Sequence, residues 1–532
     1  MELALRLIAG GRSEGGSGRV AAYRAWLAAA LRSLLTWEWA VLGLIVVASF
    51  ALRWYRIDDA LVGYHVTNEG FYTALGRDYL TQSTFAPFFQ PIDQNNPPLY
   101  AFVLRLVFGA VGASLAAARA VSVLASTATI VAIFLLGRDL YGKTAGLVAA
   151  TVFGLAPGSV LVGANAQTEG LMILLRVSAV LAYYRAVRDH EPRLALLSGA
   201  LLGLATLAKL PAVVVLPGLA IWETWGSRGL GWVRRKRVSV FAMAYGAITV
   251  PWFLAQTLTS REWVSSQARL VGILELPTLE TLQIWFGSEL FWLVSPVVFI
   301  AFGFAVVLLI ARRTTSDILV LALLGVNFAF YLLYSYHTYY LLPAVPMLAI
   351  SVGALAQWLG FERPRRAVAL VTVLALLLSV SAAVIVGGKK WGGWYAHDVR
   401  DLVVQSGYAP ERIALAVDAE ILDSWAPALE EAFPETQIVH YPPLPGEEIA
   451  DGTPILHLRR YEEPRPANDP AAVPHRRHGP VFFGHTVELP ATVAVHHFGV
   501  VDAKLRKVGP WWWFGVVDTV GTTRLRVEVY RS

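Results

Sequence analysis

Apolar blocks of about 17 to 22 residues recur from Trp37 to Val386, and each is long enough to cross a hydrocarbon layer as a helix. A helix is the only open-ended way to satisfy backbone groups inside lipid, so the chain is expected to be a polytopic, all-α membrane protein over this stretch. Composition agrees: 56% of residues are hydrophobic, 15% are charged and the mean hydropathy is +0.53. The net charge of +6 does not argue for a nucleic-acid partner, because the basic residues sit in short clusters between apolar blocks, where they orient helices. The chain has no cysteine, which removes disulfides, thiolate metal sites and thiol nucleophiles from consideration.

Residues 1–35 form an N-terminal segment that is too weakly apolar and too glycine-broken for a cleavable signal; its second half is an amphipathic approach carrying Arg19, Arg24 and Arg32. Those arginines precede the first span and put the N-terminus in the cytoplasm, with the loop from Arg56 to Tyr100 outside. The next apolar piece, 98–111, is short and carries Arg105, so it is expected to lie at the interface without crossing. Crossings are then expected at 38–55, 120–136, 144–160, 170–187, 194–210, 211–226, 238–257, 291–311, 317–334, 341–359 and 366–387, eleven in all. This count places every dense basic turn in the cytoplasm: Arg185, Arg188 and Arg193; Arg228 and the run Arg234 to Arg237; Arg312 and Arg313; Arg363, Arg365 and Arg366. Counting 98–111 as a crossing would invert them all. A second interfacial helix is expected over 277–291, where Trp285, Phe286 and Phe291 are aromatic anchors.

The membrane domain thus spans 36–387, with a first extracytoplasmic loop and juxtamembrane helices over 56–118, and residues 388–532 form an outer domain. That domain has no bilayer-length apolar run. Short alternating stretches such as RIALAVDAE and TPILHLRRYE predict strands, so it is expected to be α+β or mostly β. His475, His478, His485, His496 and His497 make a poor metal site, since arginines surround the first pair and adjacent histidines in a strand face opposite ways.

Polar chemistry concentrates outside. The 56–100 loop alone holds Asp58, Asp59, His65, Asn68, Glu69, Asp78, Asp93, Asn95 and Asn96, and later outer loops add Glu169, Lys209, Arg269 and His337. These residues line one mouth, as a cavity open to one face would require.

In order, these motifs resemble the GT-C glycosyltransferases that use polyprenyl-phosphate sugars, of the protein mannosyltransferase and lipid A aminoarabinose transferase type. The matching elements are Asn68 and Glu69 at an acidic pair opening a short helix, Asn96 to Tyr100 at a Pro-Pro-Leu-Tyr element, Ala118 and Arg119 at the next span, GRDLYGKTAG, Glu169, the TLAKLP corner with Lys209, and HTYYLLP from His337 to Pro343. The similarity covers roughly 36–360 and implies the same short helix at 98–111. Two positions depart from the pattern: Asn68 stands where the family has its catalytic aspartate, and Asn96 where a cation often precedes the prolines.

The resemblance implies transfer of a sugar from a lipid-phosphate donor to an envelope acceptor at the outer face of a bacterial cytoplasmic membrane. Such a reaction needs a base for the acceptor hydroxyl and cations for the departing phosphate. Glu69 is the first candidate base, with Tyr72 and Gly76 on the same helix face and the glycine leaving room for substrate. Asp93 is an alternative base, or a partner of Glu69 on a divalent metal; its bland account is a turn cap. Asn68 orients a sugar or caps its helix, and Asn96 and Tyr100 belong to the substrate side of the same loop. Glu169 holds acceptor or cation, or pairs with Lys209 or Arg56. Lys209 and Arg269 are phosphate ligands, unless they are interfacial cations, and His337 and Tyr340 assist by hydrogen bonding. No cofactor is required beyond the possible metal. Two other classes compete: a flippase for lipid-linked glycans, which needs polar groups at the midplane, and a noncatalytic glycan-binding member, for which Asn68 argues.

Overall fold

The computed structural model describes residues 36–55, 57–58, 66–83, 88, 97–260, 290–333 and 338–388, and beyond these 400, 404, 409–418, 429–430, 433–441, 454–461, 484–488, 501–503, 506–507, 518–519 and 522–531. The described elements of the membrane part are helices: α1 Trp37–Trp54, α2 Val66–Thr81, α3 Leu99–Val111, α4 Leu115–Tyr141, α5 Lys143–Leu155, α6 Pro157–Gly163, α7 Thr168–Arg188, α8 Pro192–Ala208, α9 Val215–Ser227, α10 Lys236–Thr259, α11 Leu290–Val294, α12 Pro296–Arg312, α13 Thr315–Leu333, α14 Val345–Trp358 and α15 Pro364–Gly388. Among the described residues six helical stretches are long and apolar enough to cross a membrane, or seven when α5 and α6 are taken as one bent span. The N-terminal approach and all but the end of the expected 277–291 helix lie outside the described residues.

Loop chemistry folds these helices back on one another. Ser114 caps α4, its side chain accepting from the Ala117 N–H, and at the other end Gly142 adopts φ +106°, a conformation that side chains resist, so that α5 starts at once alongside α4. The crossing is close because small residues meet there. A methyl group at Gly146 would stand 2.5 Å from the Phe134 carbonyl, and one at Gly353 of α14 would stand 2.3 Å from the Ala145 carbonyl. Of the stretch Leu341–Trp358, which α14 completes, 83% is buried, whereas only 22% of α10 is. Met243, Val250, Leu254 and Leu258 on α10 and Ile300, Phe304 and Val307 on α12 are exposed apolar side chains, the surface a lipid-solvated helix should have.

One expected element differs. The span predicted over 144–160 is two helices that meet at 59°. Pro157 is the cause: it has no N–H to donate and its ring clashes with the carbonyl four residues back, so α5 ends and α6 restarts. The freed Gly154 carbonyl accepts from the Arg53 Nη1 at 2.7 Å and from the Ser49 hydroxyl at 2.9 Å, while Arg53 Nη2 donates to the Ser159 hydroxyl at 2.9 Å. A buried guanidinium thus sits at the negative end of a broken helix.

The C-terminal region contains β1 Ala414–Asp418, β2 Gln437–Tyr441, β3 Pro454–Tyr461, β4 Gly484–Glu488, β5 Val501–Ala503, β6 Arg506–Lys507, β7 Asp518–Thr519 and β8 Thr522–Arg531. Six strands form a mixed sheet in the order β2-β1-β3-β8-β4-β5. β1 is parallel to both β2 and β3, and the long β8 closes the chain antiparallel to β3, from Pro454 opposite Arg531 to Tyr461 opposite Arg524.

Candidate active site

α2, α4, α7 and α8 bring their polar ends to one end of the bundle, and the run between α6 and α7 crosses it. Glu69 lies in the first turn of α2. Its carboxylate faces α4, where Arg119 donates from Nε to Oε1 and from Nη2 to Oε2, both at 2.9 Å, with neither side chain more than 2% exposed. Arg119 also donates from Nη1 to the Ile57 carbonyl at 3.0 Å, and the Ala166 N–H donates to Glu69 Oε1 at 2.7 Å. The carboxylate therefore ties together α2, α4 and the 164–167 run. A forked guanidinium and a backbone N–H thus occupy both of its oxygens.

Beside this pair, Tyr100 of α3 is buried, with its ring edge-on to Tyr72 at 5.4 Å between centroids. Its hydroxyl lies 2.8 Å from that of Ser122. Ser122 accepts from the Gln167 N–H at 3.1 Å and donates to the Gln167 carbonyl at 3.0 Å, so one hydroxyl fixes the start of α7 against α4. The side-chain amide of Gln167 is fully buried and has no hydrogen-bond partner at either end. At the next position but one, Glu169 pairs with Lys209, the residue that ends α8 in an extended conformation before the Leu210–Val214 turn; Thr168 donates to the other carboxylate oxygen at 3.2 Å.

The structure thus brings Glu69, Tyr72, Tyr100, Glu169 and Lys209 to one end of the bundle. Asn68 lies in the first turn of α2 and Tyr340 in the 3-10 turn Thr338–Ala344. Asp93, Asn96, Arg269 and His337 lie outside the described residues. Gly76 does not leave room for substrate: a methyl group there would stand 2.7 Å from Leu104 Cβ, so the glycine serves the packing of α2 on α3. Arg119, Ser122 and Gln167 were not singled out by sequence as site residues. The signal was present for Arg119, a cation five residues into an apolar helix, which demands an acid. For Ser122 and Gln167 there is no such signal.

The residues do not fit a metal on Glu69, since the Arg119 guanidinium occupies both carboxylate oxygens. Among the described residues no three His, Asp or Glu side chains gather as ligands. No step below is routed through a metal.

Residues 95–254 match the family model of dolichyl-phosphate-mannose-protein mannosyltransferases. In fold the chain is similar to ArnT from Cupriavidus metallidurans, both in the apo state (TM-score 0.55, 16% identity, 78% of this chain and 92% of that one) and bound to undecaprenyl phosphate (TM-score 0.54, 15% identity, the same coverage). The family match covers 160 of the 532 residues, and the likeness to these structures is one of fold. A further likeness in fold is to the Archaeoglobus fulgidus oligosaccharyltransferase tethered to an acceptor peptide (TM-score 0.54, 12% identity, 76% of this chain and 64% of that one). No curated protein sequence matches the chain. The family match runs from just before α3 into α10, so it takes in Tyr100, Arg119, Glu169 and Lys209, whereas Glu69 lies upstream of it.

Proposed function

We propose that this GT-C protein transfers a sugar from a polyprenyl-phosphate donor to a hydroxyl of an envelope protein, lipid or polysaccharide, at the outer face of a bacterial cytoplasmic membrane. The observation that carries this reading is the gathering of two acid–base pairs, Glu69 with Arg119 and Glu169 with Lys209, around buried tyrosine and glutamine side chains at one end of an apolar bundle. The opposite end holds different chemistry, pairing Arg185 with Asp139 at 2.6 Å and Arg237 with Glu223 at 2.9 Å. Those arginine-rich turns orient that end to the cytoplasm, with the eleven segments expected from the sequence crossing and α3 lying at the interface. The outer domain from 388 covers or selects the acceptor.

In the transfer step the acceptor oxygen attacks the anomeric carbon, the bond from that carbon to the phosphate oxygen breaks, and the polyprenyl phosphate leaves with its electron pair. One displacement inverts the anomeric centre. Lys209, with Arg269, receives the phosphate charge; its partner Glu169 sets the position of the ammonium. Because Arg119 and the Ala166 N–H occupy both of its oxygens, Glu69 acts as a positioning residue, and Asp93 takes the acceptor's proton. Asn68, Tyr72, Asn96 and Tyr100 line the sugar, and His337 and Tyr340 add hydrogen bonds near the phosphate.

A flippase would call for broken helices at corresponding places in two halves, and among the described residues one helix pair is bent, α5 with α6. The deciding experiment follows radiolabelled sugar from native polyprenyl-phosphate lipids into product, in membranes carrying wild type, D93N or E69Q. Transfer by wild type that is lost in D93N, with the protein folded, supports the reading. No product from wild type, with a donor pool shown competent by another transferase, would overturn it in favour of binding or transport.

A further inference from the structure

Arg176 lies eight residues into α7, about 12 Å from its start, in the apolar interior of the bundle. It is 4% exposed. Its Nη2 donates to Asn327 Oδ1 of α13 at 2.5 Å, and the Asn327 Nδ2 donates to the Leu323 carbonyl, which fixes the amide with its oxygen toward the arginine. Nη1 is buried with no hydrogen-bond partner. The phenol of Tyr331, one turn along α13 from Asn327 and fully buried, interacts with the same guanidinium.

A guanidinium at this depth needs an anion, because a lone buried charge costs several kcal/mol. Among the described residues no acid supplies it. Glu169, two turns back on the same face of α7, is about 10 Å away along the axis and is committed to Lys209. Arg176 has no carboxylate partner among the described residues. Arg53, the other buried arginine without an acid, differs: a helix-end carbonyl and two hydroxyls occupy its Nη groups.

Next to Arg176 the walls formed by Ile173, Val177, Leu323, Pro343 and Pro346 enclose a cavity of about 10 Å³ for the centre of a water-sized sphere. That is room for about one water or one ion of similar size, and too little for a phosphate or carboxylate group. We propose that Arg176 binds a chloride-sized monovalent anion in this cavity, as a built-in counter-ion that joins α7, α13 and the start of α14. The guanidinium Nη1 supplies the charge and the donors, and the apolar walls exclude hydrated or polyatomic anions. The inference is independent of the transfer reaction.

The test uses the purified full chain in detergent. In crystals grown with sodium bromide in place of chloride, an anomalous bromide peak is expected in contact with Arg176 Nη1. In solution, replacing sodium gluconate by sodium chloride at equal ionic strength should raise Tm saturably by about 1–2 °C for wild type, and bromide should substitute for chloride. R176M should lose the salt-specific rise. Should R176M fail to fold, the bromide map and the wild-type titration still decide. Water density alone beside Nη1, equal Tm in the two salts, or the same rise in R176M would each overturn the proposal.

Discussion

Glu69 and Arg119 stand fifty residues apart in sequence and meet through two parallel hydrogen bonds of 2.9 Å inside the protein. Removing either partner leaves the other as an unpaired buried charge. E69Q and R119M are each expected to lower stability by about 3–5 kcal/mol, with R119K also impaired because an ammonium cannot reproduce the fork. The E69Q/R119M double variant should be less damaged than the two losses added together. Thermal unfolding of the purified variants measures this, and strict additivity would show that the two residues do not act as a pair.

Helix contact through glycine makes a sharper prediction, because it has an internal control. Gly353→Ala drives a methyl group to 2.3 Å from a backbone carbonyl that cannot move aside, and Gly76→Ala drives one to 2.7 Å from Leu104 Cβ. Each should cost about 1–3 kcal/mol. Gly303→Ala meets nothing within 4 Å and should be neutral or slightly stabilising. Comparing the three melting temperatures under one condition tests whether close helix approach is the reason for the glycines.

The Glu169–Lys209 pair separates stability from donor binding. K209M and E169Q should show a coupling energy of about 1–3 kcal/mol in a double-mutant cycle on unfolding. If Lys209 also meets the donor phosphate, K209M should in addition raise the donor KM about tenfold, the loss of about 1.4 kcal/mol of charged hydrogen bonding. An unchanged KM in a folded K209M protein would confine the lysine to its ion pair.

Absence of cysteine makes the proposed orientation directly testable, since any introduced thiol is unique. Asp58, Arg313 and Arg363 are all exposed. D58C should react with a membrane-impermeant maleimide in intact cells, and R313C and R363C only after permeabilisation. Labelling of R313C from outside would mean that α3 crosses the membrane and that every later loop is inverted.

Helices stand at each of the places where apolar blocks were long, because lipid solvation needs only apolarity and length, and both are local properties of the chain. The short α3 was legible for the same reason, as a thirteen-residue helix where a short apolar piece carries Arg105. What was not legible depends on partners distant in sequence. Pro157 was visible as a proline, yet the bend it makes persists only because Arg53 and Ser49 arrive from α1 to take the Gly154 carbonyl. Glu69 read as a base from its place in the acidic pair, and its contact with Arg119 depends on another helix. Gly76 read as open space because a missing side chain looks the same in sequence whether substrate or Leu104 fills the gap.

The 59° bend between α5 and α6 has an architectural result. A straight span would have delivered residues 164–167 into the solvent above the bundle, with Ala166 far from any carboxylate. Deflected, the chain runs sideways over the helix ends, and it is this run that presents the Ala166 N–H to Glu69 and seats Gln167 on Ser122. The floor of the candidate site is therefore a detour: one proline redirects the peptide, and a polar platform forms where a continuous helix would have left only a mouth.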